Sequence, residues 1–267
     1  MLEIKKSLRD VLKRVRLSGI VPTLPDQIAY AKKAKLSQQD FLELLLQDEL
    51  ERRQNKKINC NLKRSGLEDF VTLEDYNWDT DIAFDRELVR ELFNLSFIER
   101  QEDVLFLGQV GVGKSMLASA LGHAACRANY KVLFFRAEKL LLELHQCRAD
   151  NSQEKAIRKL LNADLLIIDD FGLRRLDSEQ SSDFYEIIVE RHRRSSTIIT
   201  SNRDVEEWIP LFDDPLLAQS AIDRVSNNAH KIIMEGESYR KRLGPNARKK
   251  ASKKTKRSKR TRRKRLK

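Results

Sequence analysis

Apolar positions first recur along the chain at helical spacing. Leu8, Val11, Leu12 and Val15 step by three or four residues, and Gly19, Pro22 and Pro25 then break the pattern. Ser37 followed by Asp40 supplies an N-cap signal for a helix through FLELLLQDELERRQNKK, with Phe41, Leu44, Leu45 and Leu50 on its apolar side. Asn59 to Gly66 reads as a linker after a small helical domain. From residue 70 the pattern changes. Val104–Leu107, Val132–Phe135, Leu165–Asp169, Thr197–Thr200 and Lys231–Met234 are apolar runs of strand length. Helical stretches separate them: Ser115–Arg127, Glu138–Gln146, Glu179–Arg194 and Val205–Ile209. Strands alternating with helices predict an α/β domain with a mostly parallel sheet covered on both faces.

Composition narrows the class. The 267 residues are 40% hydrophobic, enough to build a buried core. Three cysteines, Cys60, Cys126 and Cys147, are odd in number and lack metal-ligand spacing, which argues against a disulfide scaffold or a zinc site. No apolar run reaches membrane-span length and MLEIKKSLRD lacks a signal-peptide core, so the expectation is a soluble cytoplasmic protein with no membrane partner.

The net charge of +12 is unevenly spread. Residues 240–267 hold 17 Lys and Arg and no acid, while 1–66 hold 15 basic and 8 acidic residues. The centre, 67–239, holds 20 basic against 32 acidic residues. A tail such as RKKASKKTKRSKRTRRKRLK has little to bury, and is expected to be disordered alone and drawn to nucleic-acid phosphates.

The strand VLFL runs directly into GQVGVGKS. Glycines at 108, 111 and 113 let the backbone approach phosphates closely, and the helix that follows aims its positive end at them. Lys114 is placed to reach the β- and γ-phosphates, and Ser115 Oγ to ligate Mg²⁺. The nucleotide-contact set is Gly108, Gln109, Val110, Gly111, Val112, Gly113, Lys114, Ser115 and Met116. LLIIDD then ends a strand with two carboxylates, Asp169 to hold Mg²⁺ through water and Asp170 to act as general base. Asn202 ends TIITSN and would orient water near the γ-phosphate if its strand lies beside LLIIDD. Its plainer role is an Asx-turn. Arg224 follows a stretch, Phe212 to Gln219, that reads as irregular, and its spacing alone points to a surface ion pair.

Together GQVGVGKS, LLIIDDFGL, TIITSNR and IDRV…GESYR resemble the IstB-like family of AAA+ ATPases, helpers of insertion-sequence transposition related to DnaC-type helicase loaders and DnaA-type initiators. The likeness spans roughly residues 1–242 and includes FVTLEDYNWD before the first strand. It implies a P-loop AAA+ αβα core with a five-stranded parallel sheet. The expected division is a helical N-terminal domain at 1–66, an ATPase domain at 67–242 and a basic tail at 243–267. The resemblance also implies that Arg224 acts in trans as an arginine finger. Two departures stand out. The general AAA+ pattern has Glu where this chain has Asp170, as the loader and initiator relatives do, which fits slow turnover awaiting a partner. Little chain follows Met234 for a helical lid, so Arg240 in SYR is only a weak substitute for a lid-borne sensor arginine.

The expected function is an ATP-dependent helper that assembles on double-stranded DNA as an oligomer, recruits a cognate transposase and hydrolyses ATP with Mg²⁺. The alternative is a DnaC-like loader of a replicative helicase. A degenerate module holding structural ATP is opposed by the intact Lys114, Asp169 and Asp170.

Overall fold

Strands buried on both faces need near-continuous apolar runs, and the five runs found in the sequence become the five strands. The computed structural model describes residues 5–67, 71–76, 78 and 82–238. The basic segment 243–267, Arg240 and part of FVTLEDYNWD lie outside the described residues. The chain divides into two compact units between Asn61 and Leu62.

The first unit contains α1 (Lys6–Arg14), α2 (Leu24–Ala34) and most of α3 (Gln38–Ser65). Its core is small: Ile20, Leu24 and Leu45 are buried, with Leu12, Leu17, Ile28 and Phe41 packed against them. The reciprocal cap opening α3 is present. Asp40 N–H donates to Ser37 Oγ at 3.2 Å, and Ser37 N–H donates to the Asp40 carboxylate at 3.3 Å. Three local expectations are corrected. Pro25 sits in the first turn of α2 and starts a helix, because a proline there removes no intrahelical bond. The expected linker is helical through Ser65, since Asn59 to Ser65 contains no breaker ahead of Gly66. Leu50 is 63% exposed. Glu49, buried and paired with Arg52 and Arg53, takes the inward position, and Leu50 lies about 100° further round the helix.

The second unit is built on β1 (Asp103–Gly108), β2 (Val132–Arg136), β3 (Leu165–Phe171), β4 (Ser196–Ser201) and β5 (Ala229–Met234). All neighbours are parallel, in the order β2-β3-β4-β1-β5. Alternate side chains feed two cores. Val104, Phe106, Leu165 and Ile167 pack with α4 (Arg86–Leu92), α5 (Ser96–Glu99) and α6 (Lys114–Arg127). Leu105, Leu107, Leu166 and Ile168 pack with α7 (Ala137–Ala149), α8 (Gln153–Leu161), α9 (Ser178–Arg191) and α10 (Pro215–Asn227).

Differences from the expected elements are local. The segment Val205–Leu211 is a 3-10 helix, and α9 stops at Arg191 short of Arg194. The segment expected to be irregular, Phe212 to Gln219, is helical from Pro215 onward. There the Asp214 carboxylate caps Leu216 N–H at 2.8 Å and Pro215 occupies the first turn. Among the described residues no helix is long and apolar enough to cross a membrane.

Candidate functional site

Parallel sheets place ligand sites outside the carboxyl ends of their strands, and the sequence-selected polar residues collect there. β1 ends at Gly108, whose φ of 135° and close approach to β5 exclude a side chain: a Cβ would stand 2.0 Å from Met234 O. The loop then turns into α6 through Gly113, a left-handed N-cap with φ of 103°. A Cβ at Gly113 would meet the Tyr76 ring at 3.0 Å, so the loop also passes close beneath an aromatic side chain.

Lys114 is 4% exposed, folded back over the loop that precedes it. Its Nζ donates to Gly108 O, Gln109 O and Asn202 Oδ1, each at 2.7 Å. Asn202 reaches this point because β4 lies between β3 and β1, so the residue after β4 falls beside the loop after β1. The condition attached to Asn202 in the sequence, a strand next to LLIIDD, is met.

Asp169 is buried at 4% exposure, and its Oδ1 accepts from Thr200 Oγ1 at 2.6 Å. Asp170 N–H donates to the same Thr200 hydroxyl at 2.9 Å. Asp170 itself adopts a left-handed backbone, φ 56°, inside the strand.

A pocket of about 430 Å³ opens above this edge. Val110, Gly111, Val112, Gly113, Lys114, Ser115, Met116, Asp170 and Asn202 line it, so most of the expected site residues meet in one cavity. Gly108 and Gln109 join it through their bonds to Lys114, and Asp169 stands behind it, joined through Thr200 to the backbone of the lining residue Asp170. Arg224 is not among the described residues lining this pocket. It sits on α10, where its guanidinium donates to Ser220 O at 2.7 Å. Arg240 lies outside the described residues.

Sequence reasoning gave no role to four residues of this region. Tyr76, Ile82 and Leu173 form an apolar wall of the pocket, and Thr200 links the Asp169 carboxylate to the Asp170 backbone N–H. A polar residue inside the buried run TIIT was the available signal for Thr200. For Tyr76 the signal was its place in FVTLEDYNWD, with Trp78 and Phe84 packed edge-on against it at 5.1 and 5.8 Å. The volume suits a small-molecule ligand of nucleotide size. The carboxylate and hydroxyl oxygens of Asp169, Asp170 and Ser115 are of the class that a hard cation such as Mg²⁺ prefers.

The model of the IstB-like ATP binding protein family matches residues 10–247. The chain is 35% identical over 240 residues to a Mycobacterium tuberculosis protein named for ATP binding in an insertion sequence, covering 90% of this chain and 96% of the relative. It is 33% identical over 233 residues to the ATP-binding protein named for the IS21 insertion sequence of Pseudomonas aeruginosa, covering 87% and 88%. Both names assign the binding provisionally. Among solved structures, DnaI superposes with a TM-score of 0.55 at 19% identity, over 62% of this chain and 91% of that one. The DnaC helicase loader gives 0.51 at 23%, over 64% and 97%, and these two share the AAA+ fold with the chain. With the strand order, the phosphate-type loop and a family match over residues 10–247 in agreement, the chain belongs to the IstB-like ATP-binding protein family.

Proposed function

We propose that this protein is an ATP-dependent helper of transposition that assembles on double-stranded DNA with ATP, recruits a transposase and hydrolyses ATP. The observation that carries the reading is the meeting of Lys114, Asn202 and Asp170 at one pocket on the carboxyl edge of the sheet. The insertion-sequence names of its relatives favour transposition over helicase loading.

ATP lays its phosphates on the loop from Gly108 to Met116, with the base against Tyr76 and Ile82. Lys114 Nζ exchanges its neutral acceptors, Gly108 O, Gln109 O and Asn202 Oδ1, for phosphate oxygens, a stronger charge-assisted partnership. That exchange frees the Asn202 amide to orient the attacking water. Asp170 accepts the proton of that water as its oxygen bonds to the γ-phosphorus and the ADP oxygen leaves. Ser115 and Asp169 are the residues that would hold Mg²⁺, which supplies neutralisation of phosphate charge when bound. Arg224 from a neighbouring subunit stabilises the transition-state charge in trans.

The division of labour follows the charge. Residues 67–242 carry the ATPase, while the basic segments 1–66 and 243–267 meet DNA phosphates. Different DNA affinities of the ATP and ADP states make hydrolysis a release step.

The test is DNA binding and sedimentation at fixed salt in ATP, ADP and no nucleotide. Tight oligomeric binding in ATP alone, kept in Asp170→Asn and lost in Lys114→Ala, supports the reading. Equal binding in every state would refute nucleotide gating and favour a loader whose target is another protein.

A further inference from the structure

β3 carries one residue too many where it meets β4. Ile168 pairs with Ile199 and Phe171 with Ser201, so Asp169 and Asp170 together stand opposite Thr200. Such a bulge bends the strand and turns a side chain out of the regular alternation. The extra residue is absorbed at Asp170, whose φ of 56° lies in the left-handed region. Asp is among the few non-glycine residues enriched there, because its short polar side chain can bond locally. Thr200 fills the gap. It is fully buried, donates to Asp169 Oδ1 at 2.6 Å and accepts from Asp170 N–H at 2.9 Å.

We infer that Thr200 is a positioning residue for the acidic pair, one hydroxyl that orients the Asp169 carboxylate and locks the bulge turning Asp170 into the pocket. The inference rests on the proposal that this pocket hydrolyses Mg²⁺-ATP. A threonine hydroxyl has one proton and two lone pairs. Using the proton on Asp169 and a lone pair on the Asp170 amide ties one carboxylate and the backbone of the next residue to a single atom of the neighbouring strand. Thr200 is fully buried, so loss of its hydroxyl removes the acceptor of the Asp170 N–H and lets the Asp169 carboxylate rotate. The expected defect therefore falls on metal and turnover, and spares the phosphate loop, which Thr200 does not support.

Thr200→Val keeps shape without the hydroxyl, and Thr200→Ser keeps the hydroxyl. A fluorescent ATP analogue is titrated with EDTA and with Mg²⁺, beside steady-state ATP turnover and thermal melting. Thr200→Val is expected to bind the analogue in EDTA within about twofold of the parent, lose about fivefold or more of the Mg²⁺-dependent gain, and lose about tenfold in kcat. Thr200→Ser is expected to stay within about twofold on all three. A Val variant with the parent's Mg²⁺ gain and kcat would overturn the inference. So would Val and Ser variants that both melt early and both lose EDTA affinity, which would make Thr200 a structural residue alone. A parent that binds Mg²⁺-ATP without hydrolysing it ends the ATPase reading, while the Mg²⁺ gain of Thr200→Val still decides the role of Thr200. A parent with no Mg²⁺ gain overturns both.

Discussion

At the amino edge of the sheet, Asp103 on β1, Thr197 on β4 and Arg191 at the end of α9 form a closed polar cluster; at the carboxyl edge, Asp169, Thr200 and Lys114 adjoin a pocket. The chemistry is matched: a carboxylate, a threonine and a cation at each end. At the amino edge the partners are all internal. Arg191, 1% exposed, donates to Leu160 O at 2.7 Å, Ala163 O at 2.9 Å, Thr197 Oγ1 at 3.1 Å and also Ser196 O. Thr197 N–H donates to Asp103 Oδ1 at 2.7 Å. At the carboxyl edge the cation instead rests on two carbonyls and an amide oxygen at a pocket wall. Neutral acceptors of that kind yield to a phosphate, whereas a guanidinium enclosed by main-chain carbonyls has nothing to yield to. A network that ends on itself contributes stability, and one whose cation meets neutral acceptors at a cavity wall can exchange them for those of a ligand.

Breaking the amino edge should give the largest effect. Arg191→Met strands several buried acceptors and is expected to cost about 3–5 kcal/mol in urea unfolding. A loss below about 1 kcal/mol would mean the cluster is ornamental. Next comes pH. Burial pushes the Asp103 carboxyl up to about 7, against the pull of Thr197 N–H and Arg191, from an ordinary value of 3.8. The folded state therefore holds this proton more tightly than the unfolded chain. The stability it contributes is fully present below pH about 4 and is lost as pH rises through about 7, with an upper bound of about 4 kcal/mol. The difference in unfolding free energy between the parent and Asp103→Asn should fall across that window. A flat difference would place an ordinary carboxyl at Asp103.

The same cut at the carboxyl edge should move function and leave stability in place. Lys114→Ala is expected to lower ATP affinity about a hundredfold, or about 2.7 kcal/mol, while the urea midpoint stays near the parent's. A large stability loss with unchanged ATP affinity would erase the contrast between the edges.

The sequence disclosed the carboxyl edge far better than the amino edge, for a physical reason. A phosphate loop is local: Gly108 to Ser115 must be contiguous for the strand–turn–helix to form, so it survives as a string. LLIIDD and TIITSN were visible because a buried strand that ends on polar residues breaks an apolar run. Arg191 had no such signature. Its partners at 160, 163, 196 and 197 come from three segments, and on α9 it reads as one more surface charge. Five helices, α2, α4, α5, α8 and α10, were not read from the sequence, the last two for local reasons. α8 is short and rich in charge, with only Ile157 and Leu160 fully inward. The start of α10 was hidden by Pro215, which reads as a breaker until Asp214 is recognised as its cap. The bulge at Asp170 was illegible because register depends on how β3 meets β4, and one strand alone does not state it.

That bulge supplies the smallest and sharpest comparison. The general AAA+ pattern has glutamate where Asp170 stands, so on carboxylate length alone Asp170→Glu would speed turnover. The backbone argues the opposite. At φ of 56° a glutamate lacks the short-range bonding that lets aspartate tolerate the left-handed region, and the strain costs on the order of 1 kcal/mol. Its carboxylate would also overshoot by one methylene the place that the bulge sets for Asp170. Turnover is therefore expected to fall about tenfold in Asp170→Glu, about 1.4 kcal/mol, with a slightly lower melting temperature. Asp170→Gly relieves the same strain and should melt no lower than the parent, yet lose turnover because no carboxylate remains. An Asp170→Glu variant that is faster and equally stable would show that strand geometry does not select aspartate here. The difference between the edges would then rest on Lys114 and its acceptors, with no share held by the distorted end of β3.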